Sequence, residues 1–260
     1  MRYFISFFII FIVSSCQSDY KLDIINKNLK KDSLEDMILI SKGKAIIGND
    51  KWFEKGHKKK VIDVNSFYID KYEVSNKNYN TCFKAKVCKR PEFYGVKELN
   101  SAMQPVVGVS FDDATAYCKW LGKRLPTEEE WEKAARGPNG NIYPWGNNLI
   151  TCDKAVYGGS WGKDCIKDNK FKYTKSVDSN SKFKSYYGVY NMVGNAWEWV
   201  DSDYKVRYFN KPDTANVRYK TIKGGCFGSS SKYVVAYSRR WERSYQRTIG
   251  TGFRCAKSLK

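Results

Sequence analysis

Residues 104–137 read QPVVGVSFDDATAYCKWLGKRLPTEEEWEKAARG, and this stretch decides much of the fold. It contains two helix starts of the same kind, SFDD at 110–113 and TEEE at 127–130. In each, a hydroxyl residue stands three positions before an acidic residue, so each side chain can bond to the other residue's backbone N–H. The stretch therefore predicts one helix that runs to about Leu121 and a second that ends near Arg136.

Outside this stretch the regular elements are short. A third helix is expected to begin at Ser75, in VSNKNYNTCFKA. Positions 143–191 are rich in Gly, Asn, Asp, Ser and Lys and show few long periodic runs. The pattern predicts an irregular α+β domain with low regular secondary structure. Strand-like pieces are expected at 37–47, 66–72 and 221–224.

The composition indicates a folded domain with a real core. Of the 260 residues 42% are hydrophobic, and 14 Phe, 19 Tyr and 8 Trp require burial. The single histidine, His57, excludes any site that needs two imidazoles from one chain, such as a His-rich zinc site or a two-His-one-carboxylate iron site. Because His57 sits in the Lys-rich segment 54–60, we expect it to be a surface residue rather than part of a Ser-His-Asp relay.

The N-terminus is typical of an exported chain. Arg2 precedes an apolar run that ends at Val13 and is too short to span a bilayer as a mature helix. The following Ser-Ser-Cys16 resembles a bacterial lipobox, in which the cysteine is acylated, although an ordinary signal peptide is the alternative. We expect a lipoprotein signal peptide at 1–15, the lipidated Cys16 with a polar tether at 16–36, and a globular domain at 37–260. The lipid bilayer of a bacterial cell envelope would hold the domain on its periplasmic or surface face.

Seven cysteines follow Cys16, and in an oxidising compartment disulfides are the default. No Cys-x-x-Cys pair occurs, which disfavours zinc. Because seven is odd, three bridges leave one free thiol. Proximity in the sequence pairs Cys82 with Cys88 and Cys152 with Cys165.

A candidate metal site lies in the stretch 191–199, NMVGNAWEW. Asn191 and Glu198 offer side-chain oxygens, and the alternating positions Gly194, Ala196 and Glu198 could point their oxygens the same way on an extended segment. These are hard ligands of the kind that calcium prefers. The alternative is a glycine turn packed by its two tryptophans.

A candidate thiol lies in the stretch 223–231, KGGCFGSSS. Two glycines beside Cys226 permit close approach of another backbone, so Cys226 is a candidate reactive cysteine. The alternative is an inert buried cysteine, which is the common situation for free cysteines. Nearby, Arg239 and Arg240 are candidates either for binding carboxylates or for internal ion pairs, as is Arg254.

Taken together, the ordered motifs of the chain resemble the formylglycine-generating enzyme family, also called the sulfatase-modifying factor domain. The resemblance covers roughly residues 37–257. It implies an irregular α+β fold related to C-type lectins, with bound calcium. Besides 104–137, the motifs that carry it are MILISKGKAIIG, FYIDKYEVSNKNY, YPWGN, YGVYNMVGNAWEWVDSDY, IKGGCFG and GTGFRCA.

The resemblance also assigns ligands and a disulfide. It implies that Cys118 pairs with Cys255, which leaves Cys226 alone. A first calcium site is doubtful, because Val156 stands where asparagine is expected, and the later acidic position falls near Asp168 or Asn169. A second calcium site is implied with all residue types matched, at Asn191, Gly194, Ala196 and Glu198.

This chain differs from the family's pattern at the catalytic centre. Active members of the family oxidise a cysteine of a target sulfatase to formylglycine, using molecular oxygen and copper(I) held by two cysteines. The matching positions here are Ser229 and Val234, while the turn serine is replaced by Cys226. A hydroxyl and an aliphatic side chain cannot hold copper(I), which prefers thiolates. We expect a calcium-stabilised, non-catalytic binding or scaffolding module, with an oxidoreductase or other chemistry at Cys226 as the alternative.

The net charge of +19 indicates which kinds of partner the chain could attract. Lys outnumbers Arg 35 to 11, which suggests a compositional bias rather than a dedicated patch. At low salt such a surface still attracts anionic partners, such as an acidic protein or glycan. Nucleic acid is not expected as a partner of an exported lipoprotein.

Overall fold

The computed structural model describes residues 36–50, 57–158, 165, 173–204 and 217–259. The expected signal peptide, Cys16 and its tether lie outside the described residues, as do Asp168 and Asn169. No helix in the described ranges is long and apolar enough to cross a membrane.

Three α-helices and nine short strands make up the regular structure of the described residues. Single 3₁₀ turns lie at Lys97–Leu99, Ser181–Phe183 and Ser231–Tyr233. The helices are α1 (Asn76–Lys84), α2 (Phe111–Trp120) and α3 (Glu128–Arg136). The strands are β1 (Met37–Ile40), β2 (Gly43–Ile47), β3 (Lys60–Val64), β4 (Phe67–Asp70), β5 (Trp197–Asp203), β6 (Tyr219–Lys223), β7 (Arg239–Arg243), β8 (Thr251–Gly252) and β9 (Ala256–Ser258).

The helix starts are confirmed. The Ser110 hydroxyl accepts a bond from the Asp113 backbone N–H at 3.2 Å, and the Asp113 carboxylate accepts one from the Ser110 N–H at 2.9 Å. Thr127 and Glu130 make the same reciprocal pair at the start of α3, and Ser75 caps α1. These caps satisfy backbone donors that the first turn of a helix leaves unpaired.

The strand predictions are right in place but not in extent. The stretch expected as one strand at 37–47 is two strands, because the chain changes sheets between Ile40 and Gly43. β1 pairs with β4, and β4 with β9, in a three-stranded antiparallel sheet. β2 pairs with β3 in a separate hairpin. The other two predicted pieces correspond to β4 and β6, and β6 begins at Tyr219, two residues earlier than expected.

The third sheet positions the candidate sites. Its strand order is β7-β6-β5-β8, with β5 and β8 parallel and the other pairs antiparallel. Alternation along β5 sends Trp197 and Trp199 into one hydrophobic cluster, and Val200 into a second cluster with Trp131 of α3. Both faces of β5 are therefore covered, and Glu198, on the same face as Val200, has no exposed surface.

Three disulfides join the pairs that were expected. Cys82–Cys88 and Cys152–Cys165 are local, whereas Cys118–Cys255 ties α2 to the segment before β9 across 137 positions of sequence. Among the described residues Cys226 is the free cysteine. It packs against the same hydrophobic cluster that contains the Cys118–Cys255 bond.

The expectation that His57 is a surface residue is wrong. Its side chain is only 6% exposed, and its two ring nitrogens face carboxylates of α3, Glu128 at 3.8 Å and Glu132 at 3.4 Å. The lysines that follow His57 point to solvent, but the segment leading into β3 turns the imidazole inward. The lysines next to His57 are exposed, and their exposure does not extend to His57 itself.

Candidate functional site

The oxygen-rich loop at 191–198 is a sharply bent segment. Asn191, Gly194 and Asn195 all have positive φ angles, of 51°, 76° and 59°. A Cβ on Gly194 would lie 2.6 Å from the carbonyl oxygen of Val156, so this position requires glycine. The Val156 carbonyl also accepts a bond from the Asn195 N–H at 2.8 Å, which fixes the loop against that segment.

Glu198 is held by a buried bidentate ion pair. Arg254 donates from Nη2 to Oε1 and from Nε to Oε2, both at 2.7 Å. Trp131 of α3 donates its indole N–H to Oε2, also at 2.7 Å. All three side chains have no appreciable exposure. The carboxylate thus joins β5, α3 and the C-terminal segment.

The loop offers oxygen ligands of the kind that calcium takes, and Arg254 already neutralises the charge of its one carboxylate, Glu198. A carboxylate offers about four lone-pair sites. Two of the bonds from Arg254 and Trp131 end on Oε2 of Glu198 and one ends on Oε1. One lone pair of Oε1 therefore has no donor among these groups. The Asn191 amide nitrogen donates to Glu73 and to the Val177 carbonyl, which leaves its amide oxygen as the ligand atom. Gly194 and Ala196 would add backbone carbonyls, which makes four oxygen ligands where calcium takes about six to eight.

Glu73, a buried acid that the sequence did not indicate, holds the loop through hydrogen bonds to two of its asparagines. Glu73 is 2% exposed, and its carboxyl group accepts bonds from the side-chain amides of Asn191 (2.9 Å) and Asn195 (2.9 Å). Burial and the neighbouring charge of Glu198 raise the pKa of Glu73 to about 8, although Arg254 and the two amides oppose the shift. Its partners lie more than a hundred positions away in sequence, so no local pattern marks it.

Cys226 lies in a tight turn after β6. Its N–H donates to the Ser229 hydroxyl at 3.0 Å, and that hydroxyl donates to the Cys226 sulfur at 3.5 Å. A Cβ on Gly250 would lie 2.8 Å from the same sulfur, so the glycine lets the backbone approach the thiol closely. Burial raises the pKa of Cys226, which favours the neutral thiol over the reactive thiolate.

The described residues do not fit a copper(I) site. Ser229 offers a hydroxyl beside the Cys226 thiol. Val234 is fully buried and packs its methyl groups against Gly225. Copper(I) prefers soft sulfur ligands, and the turn supplies one thiol where a bis-thiolate site needs two.

A groove of about 800 Å³ opens beside Cys226. Glu242 of β7 is part of its wall, and burial raises the pKa of this carboxyl to about 7, against the opposing effects of Arg240 and the Thr248 hydroxyl. Sequence reasoning missed Glu242, although the alternation of Arg240 and Glu242 on a strand would have placed them on one face. The remaining lining consists of Tyr173, Trp197, Phe227, Gly228, Ser229, Ser230, Lys232, Tyr233, Ile249 and Gly250.

The three candidate arginines have different roles. Arg254 is fully buried on Glu198. Arg239 faces inward, with its Nε 3.2 Å from a Glu128 oxygen and its guanidinium over the Tyr204 ring. Arg240 is exposed and lines the groove. The structure therefore brings one of the three to the groove.

A second buried cluster of charged residues joins α3, β6 and His57. Lys223 Nζ lies 2.9 Å from Glu132 and 3.4 Å from Glu128, and Arg136 donates to Glu132 at 2.8 Å. Burial would raise the pKa of Glu132, but Lys223, His57 and Arg136 hold it well below its ordinary value. His57, Glu128 and Glu132 have metal-ligating atoms within 4.8 Å of one another. Because cations already neutralise these carboxylates, we interpret the cluster as structural.

The fold and motifs place the chain in a known class. Residues 23–259 match the family model described as a sulfatase-modifying factor enzyme 1-like domain, and the chain belongs to this family. The resemblance inferred from the motifs is thereby confirmed.

Relatives of similar identity differ in what their names say about activity. The chain is 36% identical over 158 residues to a Bos taurus protein named inactive C-alpha-formylglycine-generating enzyme 2, covering 58% of this chain and 50% of that protein. It is 35% identical over 180 residues to the Mus musculus formylglycine-generating enzyme, covering 65% and 48% respectively. The chain spans about half the length of these curated relatives, and identity alone does not decide between the two names.

A solved structure has the same fold. PvdO from Pseudomonas aeruginosa superposes with a TM-score of 0.67 at 21% identity, over 87% of this chain and 97% of that one. The irregular α+β fold of the formylglycine-generating enzyme and C-type lectin type, expected from the sequence, is confirmed.

Replacement of Arg254 tests the buried pair. Arg254→Met leaves a buried carboxylate that keeps only the Trp131 bond, and the free energy of unfolding should fall by about 3–5 kcal/mol. Urea unfolding followed by tryptophan fluorescence measures the loss. Adding Glu198→Gln, which removes the uncompensated charge, should recover part of it.

Arg218→Met is the matched control. Arg218 pairs with Asp112 at 3.2 Å, but both side chains are more than 60% exposed. Its loss should stay within about 0.5 kcal/mol. If both arginine variants lost the same free energy of unfolding, the buried pair of Arg254 would matter no more than an exposed one.

Proposed function

We propose that this protein is a non-catalytic binding or scaffolding module built on the sulfatase-modifying factor fold. The observation that carries the proposal is the replacement of the copper-binding cysteine pair by Ser229, whose hydroxyl contacts Cys226, and by the buried Val234. The similarity to a relative named inactive supports it. The groove beside Cys226 is then a ligand site rather than a catalytic centre.

A second candidate function is thiol chemistry at Cys226. The sulfur lies in the groove wall, and Arg240 lowers its pKa, although burial has the larger and opposite effect. An oxidoreductase of the parent type would use this thiol on a target cysteine. The neutral state favoured by burial argues against it, because the thiolate is the nucleophile.

Copper binding and formylglycine formation separate the two candidates. The purified protein, incubated with copper(I), oxygen and a cysteine-containing sulfatase peptide, should give no formylglycine by mass spectrometry. Copper(I) titration should show no tight bis-thiolate site, because Cys226 alone provides one sulfur.

Cys226→Ser is the control variant for this assay. It should behave like the unmodified protein, since the thiol has no catalytic task in the proposal. Formylglycine made by the unmodified chain and lost in Cys226→Ser would establish the enzyme instead.

We further propose that calcium stabilises the domain through Asn191, Gly194, Ala196 and Glu198. Calcium at about a hundred times its dissociation constant should add about 2.7 kcal/mol to the free energy of unfolding. Thermal unfolding with calcium, with magnesium and with a chelator measures the effect. Magnesium should stabilise the domain little, because it demands a stricter octahedral geometry than calcium.

Two asparagine variants test the assignment. Asn191→Ala should abolish the response to calcium. Asn180→Ala is a control for the positive φ alone, since Asn180 has a φ of 59°, and it should keep the response. A calcium response retained in Asn191→Ala would place the ion elsewhere.

We also propose that Cys16 is acylated and anchors the domain to a bacterial envelope membrane. The support is the apolar run that ends at this cysteine. Cys16→Ser should move the expressed protein from the membrane fraction to the soluble fraction and remove incorporation of a labelled fatty acid. Ser15→Ala, which keeps a small residue before the cysteine, should remain in the membrane. An unlabelled chain with Cys16 intact would disprove the anchor.

A further inference from the structure

We propose that the groove beside Cys226 binds an acidic peptide segment, with carboxylates placed on Arg240 and Lys232 and apolar side chains on the surrounding rings. This inference rests on the proposed binding function and names its class of ligand. A cavity of about 800 Å³ is the size of an ordinary ligand pocket and suits a few residues of extended chain.

The charges of the groove favour an anion. Arg240 and Lys232 are both exposed and both line the cavity. Lys232 lies over the Tyr233 ring, with its Nζ 4.9 Å from the ring centroid, which places the ammonium within the groove wall. Among the described residues of the lining, Glu242 is the acidic one and Arg240 and Lys232 are the two cations.

Glu242 faces a defined set of neighbours. Arg240 lies two residues away on the same face of β7, and the Thr248 hydroxyl is 3.4 Å from both carboxyl oxygens. The cross-strand partner, Lys220 of β6, places its ammonium 2.8 Å from Asp203. Because Lys220 already has this partner and burial raises the pKa of Glu242 to about 7, the acid is mainly protonated below neutral pH.

The protonation of Glu242 gives the groove a pH dependence. Below pH 7 the group is mostly neutral, and the groove presents two cations to an acidic ligand. As the pH rises through 7 the carboxylate forms, repels the ligand and competes for Arg240. Affinity for an acidic peptide should therefore decrease with increasing pH.

The rest of the lining favours a peptide over a glycan. Tyr173, Phe227 and Tyr233 contribute rings, and Ile249, 41% exposed, adds an aliphatic surface. Apolar side chains alternating with carboxylates in an extended peptide would meet both kinds of surface. A polyuronate offers charge but no comparable apolar group for Ile249.

The binding test uses three ligands on the full chain. A capped, fluorescent pentapeptide of alternating glutamate and phenylalanine is compared with its glutamine version and with an oligogalacturonate. The acidic peptide should bind, and the glutamine version should bind about tenfold more weakly. Binding of the oligogalacturonate but not of the peptide would overturn the ligand class.

Variants locate the site. Arg240→Gln and Lys232→Met should each weaken peptide binding about fivefold to tenfold. Lys77→Met removes the same charge from a separate cavity beside α1 and should leave binding unchanged. Equal weakening by Lys77→Met would show that the overall charge attracts the peptide and would overturn the groove assignment.

The pH profile and the thiol provide independent readouts. Between pH 6 and 8 affinity should fall about fivefold, the size expected for one like charge near the ligand, and Glu242→Gln should remove this dependence. Bound peptide should slow alkylation of Cys226, quantified by mass spectrometry of the fragment that contains it. Unchanged alkylation under saturating peptide would place the ligand outside the groove.

Failure here is distinguishable from failure of the proposed function. If no formylglycine forms and the acidic peptide does not bind, the non-catalytic assignment stands and the ligand class is wrong. If formylglycine forms, the non-catalytic assignment is wrong whatever the peptide result.

Discussion

The structure depends on the buried pair between Arg254 and Glu198. A buried carboxylate is costly to desolvate unless donors surround it. Here the Arg254 guanidinium and the Trp131 indole provide three bonds of 2.7 Å to Glu198. Because these groups come from α3, β5 and the C-terminal segment, one contact fixes the relative position of parts that share little regular structure. The oxygen-rich loop ends at this carboxylate, and its geometry follows from it.

Parts of the fold with local causes could be predicted from the sequence. The caps at Ser110 and Thr127 depend on residues three positions apart. The loop at 191–198 was indicated by residue types and spacing, and the family by the order of its motifs. His57 was wrongly placed because its burial depends on α3, more than seventy positions later. Glu73 was missed for the same reason, since its amide partners lie 118 and 122 positions away.

The groove lies beside a single thiol, that of Cys226. Ser229 closes the turn around Cys226 through two hydrogen bonds, and the buried Val234 lies beside the glycine turn. The walls of the cavity come from the turn after β6, from β7 and from the segment before β8. Ser229 and Val234 therefore contribute to the fold around the groove, whereas Arg240 and Lys232 present charge to it.

The long disulfide has a consequence for biogenesis. Cys118 leaves the ribosome well before its partner Cys255, and Cys226 emerges in between. In the folded domain Cys226 packs against the hydrophobic cluster that contains the Cys118–Cys255 bond. Until Cys255 emerges, Cys226 is an alternative partner for Cys118, and packing of the cluster favours the pair seen in the structure. The lone cysteine thus makes the maturation of this domain dependent on the order of its synthesis.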